Sequence, residues 1–274
     1  MRPARIRPSM TQARFMNLAC GATYVKSGEW LNLDYTPLGP AVVQANLLGR
    51  LPAPNASMDV VYSSHFIEHV PRPRVAPLLA ECRRVLKPGG LLRLVVPDLL
   101  EMSSRYVQCR QLGQHDTADR LVLEMLDQCV RRYSGGELAG FYGQVRASGD
   151  PALKRWVFER SGETLDTAPA ATPRSWSARV SGALQRRYIR LLWRLMPQAF
   201  REQNVSLADV GELHAWLYDA HSLGQILMQA GFSQITQQRH DRSSEPGFPL
   251  RPLDCTAAGE PRKGLQSLYL EARA

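Results

Sequence analysis

The 274-residue chain is poor in the residues that usually announce a chemistry. It has five cysteines (Cys20, Cys82, Cys109, Cys129 and Cys255), dispersed and without CxxC spacing. That argues against a disulfide framework or a zinc knuckle and for reduced thiols in a cytoplasmic setting. No apolar run reaches the 18 residues that a membrane span needs. The amino terminus, MRPARIRPSMTQAR, has four arginines and two prolines but no apolar stretch, so it reads as a disordered basic arm over 1–13 rather than a secretory signal. Lysine is scarce too. Arginine makes up nearly all of the 34 basic residues, which exceed the acids by nine and favour anionic partners.

Short apolar runs separated by turn residues are abundant. RFMNLAC (14–20), LNLDY (31–35), AVVQAN (41–46), MDVVYS (58–63) and LLRLVVP (91–97) read as strands buried on both faces, the pattern of a parallel sheet. Between the last two, PRVAPLLAECRRVLKPGG spaces Val75, Leu78, Leu79, Cys82, Val85 and Leu86 as a helix that stops at Pro88-Gly89-Gly90. This is a right-handed βαβ crossover. Near the carboxyl end Ser222 opens a further helix with capping-box spacing, ending at Gly231. FSQITQQ and SLYLEA give two more strands. The fold class is α/β: a Rossmann-like, doubly wound, mostly parallel sheet over 14–98 and 211–274. Residues 99–210 are too long for a connection and predict an inserted helical subdomain, with helices at 99–112, 118–133, 151–161 and 178–200 and an irregular loop around TLDTAPAATPRS.

Ligands of such sheets bind beyond the carboxyl ends of the strands. The turn after the first strand, ACGATY, fails the GxGxxG pattern of nicotinamide binders. An acid, Asp34, ends the second strand, where it can accept both hydroxyls of a ribose. SSHFIEHV (63–70) follows the fourth strand and places His65, Glu68 and His69 at i, i+3, i+4 spacing, which puts all three on one side if the chain turns helical.

The segments MNLACGATYVKSGEWLNLD, LPAPNASMDVVYSSHFIEHV, LAECRRVLKPGGLLRLVVPDL, HAWLYDAHSLGQILMQAGF and SLYLEA, in this order and spacing, resemble the class I S-adenosylmethionine-dependent methyltransferases, type 11 group. The resemblance implies S-adenosyl-L-methionine as cofactor. Ala19, Cys20 and Gly21 would face its methionine portion, Asp34 its ribose, Tyr35, Asn46 and Leu47 its adenine, and Ser64 and His65 would line it after the fourth strand. Three positions depart from the family pattern: Asn17 for its acid, Ala19 for its first glycine and Thr23 for its third small residue.

Transfer of a methyl group to a hydroxyl needs in-line positioning and an exit for the proton, by a base or a metal. Three roles are open for the histidine cluster. His65 and His69 can act as catalytic base or substrate contact. His65, Glu68, His69 and the distant His214 can hold a divalent transition metal, a donor set suited to Zn²⁺, Mn²⁺ or Fe²⁺ and ill suited to Mg²⁺. The ubiquinone-pathway O-methyltransferases and the small-RNA 2′-O-methyltransferases carry ExxEH where this chain has HxxEH and bind a metal there; in the latter a further histidine follows the fifth strand, and His214 enters the set by resemblance to it. The third role is structural. His115, His221 and His240 belong to no cluster.

The segment 174–201 holds seven arginines and no acid, with Leu184, Tyr188, Leu191, Leu192, Leu195 and Met196 on one helical face and Arg186, Arg187, Arg190 and Arg194 mostly off it. It reads as a solvated basic face, a peripheral membrane contact through 178–200, or part of a lid over an anionic substrate. The leading expectation is an O-methyltransferase for a small metabolite or glycan acceptor, cytoplasmic or peripheral to a membrane. The alternatives are a metal-assisted RNA 2′-O-methyltransferase, which would require nucleic acid as partner, and a degenerate relative acting as a binding or scaffold protein.

Overall fold

The computed structural model describes residues 13–166 and 176–274; nearly all of the basic arm and most of the TLDTAPAATPRS loop lie outside the described residues. In chain order the elements are β1 (Phe15–Leu18), β2 (Trp30–Asp34), β3 (Val42–Gln44), β4 (Met58–Ser64), a 3₁₀ turn (Ile67–His69), α1 (Arg72–Val85) and β5 (Leu86–Pro97). Then come α2 (Leu99–Gln111), α3 (His115–Val130), α4 (Gly136–Ser148), α5 (Pro151–Ser161), α6 (Trp176–Leu195) and α7 (Gln198–Asn204). The chain returns through α8 (Ala220–Gln229), β6 (Ser233–Gln238) and β7 (Ser267–Arg273).

All seven strands form one sheet in the order β3-β2-β1-β4-β5-β7-β6. β1 to β5 pair in parallel, while β7 runs antiparallel to both β5 and β6. The expected Rossmann-like, mostly parallel sheet is therefore present. Its order reverses between β1 and β4, and that reversal opens a crevice over their carboxyl ends.

The sequence reading differs from the structure in three places. Ser222 is the third residue of α8 rather than its cap: Asp219 caps the helix, accepting from the Ser222 amide at 2.7 Å, and Ser222 Oγ accepts from the Asp219 amide at 3.1 Å. The Pro88-Gly89-Gly90 turn lies inside β5 rather than before it. Met58 and Val60 of β4 face Leu86 and Leu91, so three extra residues loop out between them. In the inserted region α4 was not foreseen, since glycines 136, 140 and 143 blur its periodicity, and the last predicted helix breaks at Pro197 into α6 and α7.

One face of the sheet packs Met16, Leu33, Val61 and Leu92 against Leu79 and Cys82 of α1 and Leu223 and Leu227 of α8. The other is covered by irregular chain, with Phe248 and Leu253 packed on Trp30, Tyr62 and Tyr269. Arg93 is wholly buried on that side. Its guanidinium donates to Asp254 at 2.8 Å and Glu271 at 2.7 Å, while Tyr62 donates to Asp254 at 2.7 Å. A charge at such depth is tolerated only with partners of this kind.

The inserted helices lock onto the sheet beside β7. Buried Arg160 of α5 pairs with Glu101 of α2 at 2.6 Å and Glu124 of α3 at 2.9 Å. The next turn runs so close to the 261–266 segment that a Cβ on Gly162 would lie 1.9 Å from the Arg262 carbonyl oxygen, and one on Gly264 would lie 2.1 Å from that of Arg160. Arg93→Leu leaves two buried carboxylates without their cation; we expect a loss of about 3–5 kcal/mol in unfolding free energy, read by urea denaturation. A loss below about 1 kcal/mol would contradict this account of the network.

Candidate active site

The turn after β1 is built on left-handed backbone. Ala19 has φ 51° and Gly21 φ 52°. Glycine takes this conformation freely; alanine pays for its Cβ. The Gly21 amide donates to Asp34 Oδ2 at 2.8 Å, and the Thr36 amide to Oδ1 at 2.8 Å. Each oxygen keeps a lone pair, and the carboxylate is only partly buried at the end of β2. The open space beside the Gly21 α-carbon and the tethered, accessible Asp34 fit the methionine and ribose portions of S-adenosylmethionine. Tyr35 is 60 % exposed and can offer its ring to an adenine. Asn46 is exposed and caps the Leu48 amide at 3.1 Å, whereas Leu47 is buried in the core, which leaves only its backbone for a ligand. Cys20 is buried, and burial pushes its thiol up to about 12, so it is no nucleophile.

After β4 the chain turns sharply. His65 has φ 51°, a strained conformation for a residue with a side chain, and Ser64 Oγ is buried without a partner among the described residues. The 3₁₀ turn then brings Glu68 inward, completely buried. The Glu68 carbonyl accepts from the Ala215 and Trp216 amides at 2.7 and 3.1 Å, and the His214 amide donates to the Gln128 carbonyl at 2.9 Å. These bonds set His214 beside the 3₁₀ turn, 145 residues away along the chain, with its ring 4.7 Å from that of His69 and nearly perpendicular to it. Glu68, His69 and His214 each offer a ligand atom within 4.8 Å of the others. His65 stands outside this tight group, with Nδ1 3.5 Å from Glu68 Oε1.

Hydrogen-bond bookkeeping fixes where the protons sit. Ser267 Oγ donates to the Lys263 carbonyl at 2.8 Å, so it must accept from His65 Nε2 at 3.0 Å. His65 Nδ1 then carries the lone pair. His69 Nδ1 donates to the Leu213 carbonyl at 2.9 Å, which leaves its Nε2 unprotonated. His214 Nδ1 and both Glu68 oxygens are buried without a partner among the described residues. Burial holds His65 well below the usual histidine range, lowers His69, and takes His214 down to about 3, with the Lys263 cation adding to the first two. Burial raises the Glu68 carboxyl to about 8. The His65–Glu68 contact is thus between neutral groups, not an ion pair, and the cluster gathers lone pairs around one carboxylic acid.

The rings of His65, His69 and His214 border a cavity of about 340 Å³. Its walls come from α3 (Glu124, Gln128), α4 (Leu138, Tyr142), the end of α5 and the turn after it (Ser161, Glu163) and the segment before β7 (Lys263, Gln266). The sequence reading did not foresee Lys263 there; PRKG just before the last strand was its one signal. His221 and His115 are exposed and His240 binds the Gly259 carbonyl at 3.2 Å, so none of the three joins the site.

A parallel sheet with a ribose-type acid after β2 and a polar cluster after β4 defines a Rossmann-like nucleotide-cofactor fold. Residues 24–94 match a sequence-family model described as "Methyltransferase domain". Curated proteins similar to the chain are a "Probable S-adenosylmethionine-dependent methyltransferase" of Mycolicibacterium smegmatis, 35 % identical over 27 % of this chain and 31 % of that one, and another of Mycobacterium tuberculosis, 31 % identical over 36 % and 41 %. The matches thus span less than half the length of these relatives. Among solved structures, an S-adenosylmethionine-dependent methyltransferase from Mesorhizobium loti covers 97 % of this chain and is itself covered to 93 %, at 17 % identity and a TM-score of 0.38. Residues 24–94 are thus similar to a methyltransferase domain, and the curated proteins that part of the chain resembles are described as S-adenosylmethionine-dependent methyltransferases.

Ala19→Gly tests the strain in the turn after β1. We expect it to raise stability by up to about 1 kcal/mol in thermal denaturation, since glycine removes the cost of a left-handed alanine; a lower melting temperature would mean that the Ala19 Cβ contributes packing that outweighs its strain.

Proposed function

We propose that the protein is an S-adenosylmethionine-dependent O-methyltransferase acting on a small metabolite or glycan, with His65 or His69 as the base. The observation that carries this reading is the pair of unprotonated imidazole nitrogens, His65 Nδ1 and His69 Nε2, on groups that border the 340 Å³ cavity. Bound S-adenosylmethionine supplies a methyl group on a cationic sulfur. The Gly21 turn and the Asp34 carboxylate hold the cofactor at the crevice. The inserted helices, proposed as a substrate-binding lid, supply the far wall and choose the acceptor. Tyr142, Glu163, Gln128 and Gln266 suit a polyhydroxylated molecule, and Lys263 suits one that carries an anionic group. A neutral imidazole takes the acceptor's proton as the oxygen attacks; Glu68, held as an acid near neutral pH, remains uncharged beside it.

A second reading is metal assistance. Its support is the convergence of Glu68, His69 and His214, a buried donor set with unpartnered lone pairs whose second ring nitrogen, in His69, is already oriented by a backbone carbonyl. The residues fit a zinc-, manganese- or iron-type cation. It would polarise an acceptor hydroxyl, and the same chemistry suits a ribose 2′-hydroxyl of RNA.

Titration with S-adenosylhomocysteine tests the cofactor site. We expect micromolar binding, abolished by Asp34→Ala with the fold retained by circular dichroism; absence of binding would leave the chain as a binding or scaffold protein built on this fold. His65→Ala and His69→Ala, tried against hydroxylated acceptors, should each lower kcat about 10²–10⁴-fold if that residue is the base, while leaving cofactor affinity intact. Elemental analysis decides the second reading: near-stoichiometric transition metal and chelator-sensitive activity support it, and metal-free protein with full activity ends it.

A further inference from the structure

α6 is the longest helix among the described residues, and its apolar side chains are not folded away. Leu184, Tyr188, Leu191, Leu192 and Leu195 recur at i, i+4, i+7, i+8 and i+11, a stripe roughly 100° wide. A stripe of this kind normally packs on a core, yet exposure runs from 40 % at Leu192 to 74 % at Leu195. Arg187, Arg190 and Arg194 recur along one flank of the stripe, and all are exposed. On the opposite side of the helix Trp193 is half-buried, with the Arg201 guanidinium of α7 stacked 4.4 Å from its ring. The α7 contact thus lies behind the helix, away from the exposed leucines and arginines. Beyond Pro197, Phe200 adds another exposed apolar ring.

We propose that α6 lies flat on an anionic lipid surface, so that the protein works as a peripheral membrane protein. The charge pattern selects this occupant. Residues 174–201 contain seven arginines and no acid, so a second copy of the helix would bring like charges together along the shared stripe. A nucleic acid would engage the arginines and leave the leucines in water. A lipid interface satisfies both at once: the leucines enter the acyl boundary, and the arginines reach sideways to phosphate oxygens, which the planar guanidinium engages in pairs. The attachment is peripheral, because no helix among the described residues is long and apolar enough to cross a membrane. This inference goes beyond methyl transfer and does not depend on it.

The test is co-sedimentation of the full chain with vesicles of phosphatidylcholine alone or mixed with phosphatidylglycerol. We expect binding only to the anionic vesicles, weakened at least tenfold by the double substitution Leu191→Glu and Leu195→Glu and also by Arg187→Gln, Arg190→Gln and Arg194→Gln together. Both variants alter exposed side chains, so melting temperature and S-adenosylhomocysteine affinity should match the parent; an equal loss of cofactor binding would trace the effect to misfolding and overturn the assignment. No binding to anionic vesicles overturns it, as does binding that neither variant weakens. A dimer in sedimentation velocity that Leu191→Glu and Leu195→Glu dissolve would assign the stripe to a second copy. RNA binding that the leucine variant abolishes would assign it to nucleic acid.

Discussion

Two backbone hydrogen bonds to the Glu68 carbonyl, from Ala215 and Trp216, hold the site together. They stitch the chain that leaves the inserted helices onto the turn that ends β4. With the His69–Leu213 and His214–Gln128 bonds they set His214 beside His69 and so form one wall of the cavity. They also account for the depth of Glu68. Its peptide group serves as a structural bracket, so its side chain is carried inward with no partner of its own. A buried carboxyl in that position stays protonated far more readily than one in water, and the neighbouring imidazoles stay neutral for the same reason. The electrostatics of the site thus follow from a main-chain contact.

The two sides of the site are made differently. The side proposed for the cofactor rests on strand ends, where Asp34 is tethered by the Gly21 and Thr36 amides. The cavity side rests on helices brought in from the insertion and locked by Arg160 and by the close approach at Gly162 and Gly264. Two of the four left-handed non-glycine residues among the described residues stand where the two meet. Ala19 and His65, at the carboxyl ends of β1 and β4, both adopt left-handed backbone. β1 and β4 are the strands that flank the reversal in sheet order, so the distorted residues stand at the lip of the crevice.

The strands were legible because each is an apolar run between turn residues, and a parallel sheet buried on both faces leaves little room for other patterns. Asp34 and the 63–70 cluster were legible from their places after particular strands. The partnership of His214 with Glu68 and His69 came from likeness to other families, since nothing local in GELHAW announces it. Arg93 was unreadable as a core residue. A lone arginine in LLRLVVP looks like a strand-edge charge, and its partners Asp254 and Glu271 lie 161 and 178 residues away. α4 was hidden by its glycines, and the positive φ of Ala19 and His65 by residue types that seldom adopt it.

The packing at Gly162 and Gly264 bears on how such a protein can change over time. Each carbonyl there occupies the space that the opposing residue's side chain would need, so these two positions admit only glycine unless the backbone moves. The helical walls between such a seam and the sheet face few constraints of that severity. Substitutions in Gln128, Leu138 or Tyr142 can therefore accumulate and redirect which molecule is accommodated, while the hinge of the arrangement and the nucleotide side stay as they are. A lineage built this way can reshape its cavity without rebuilding the strand ends.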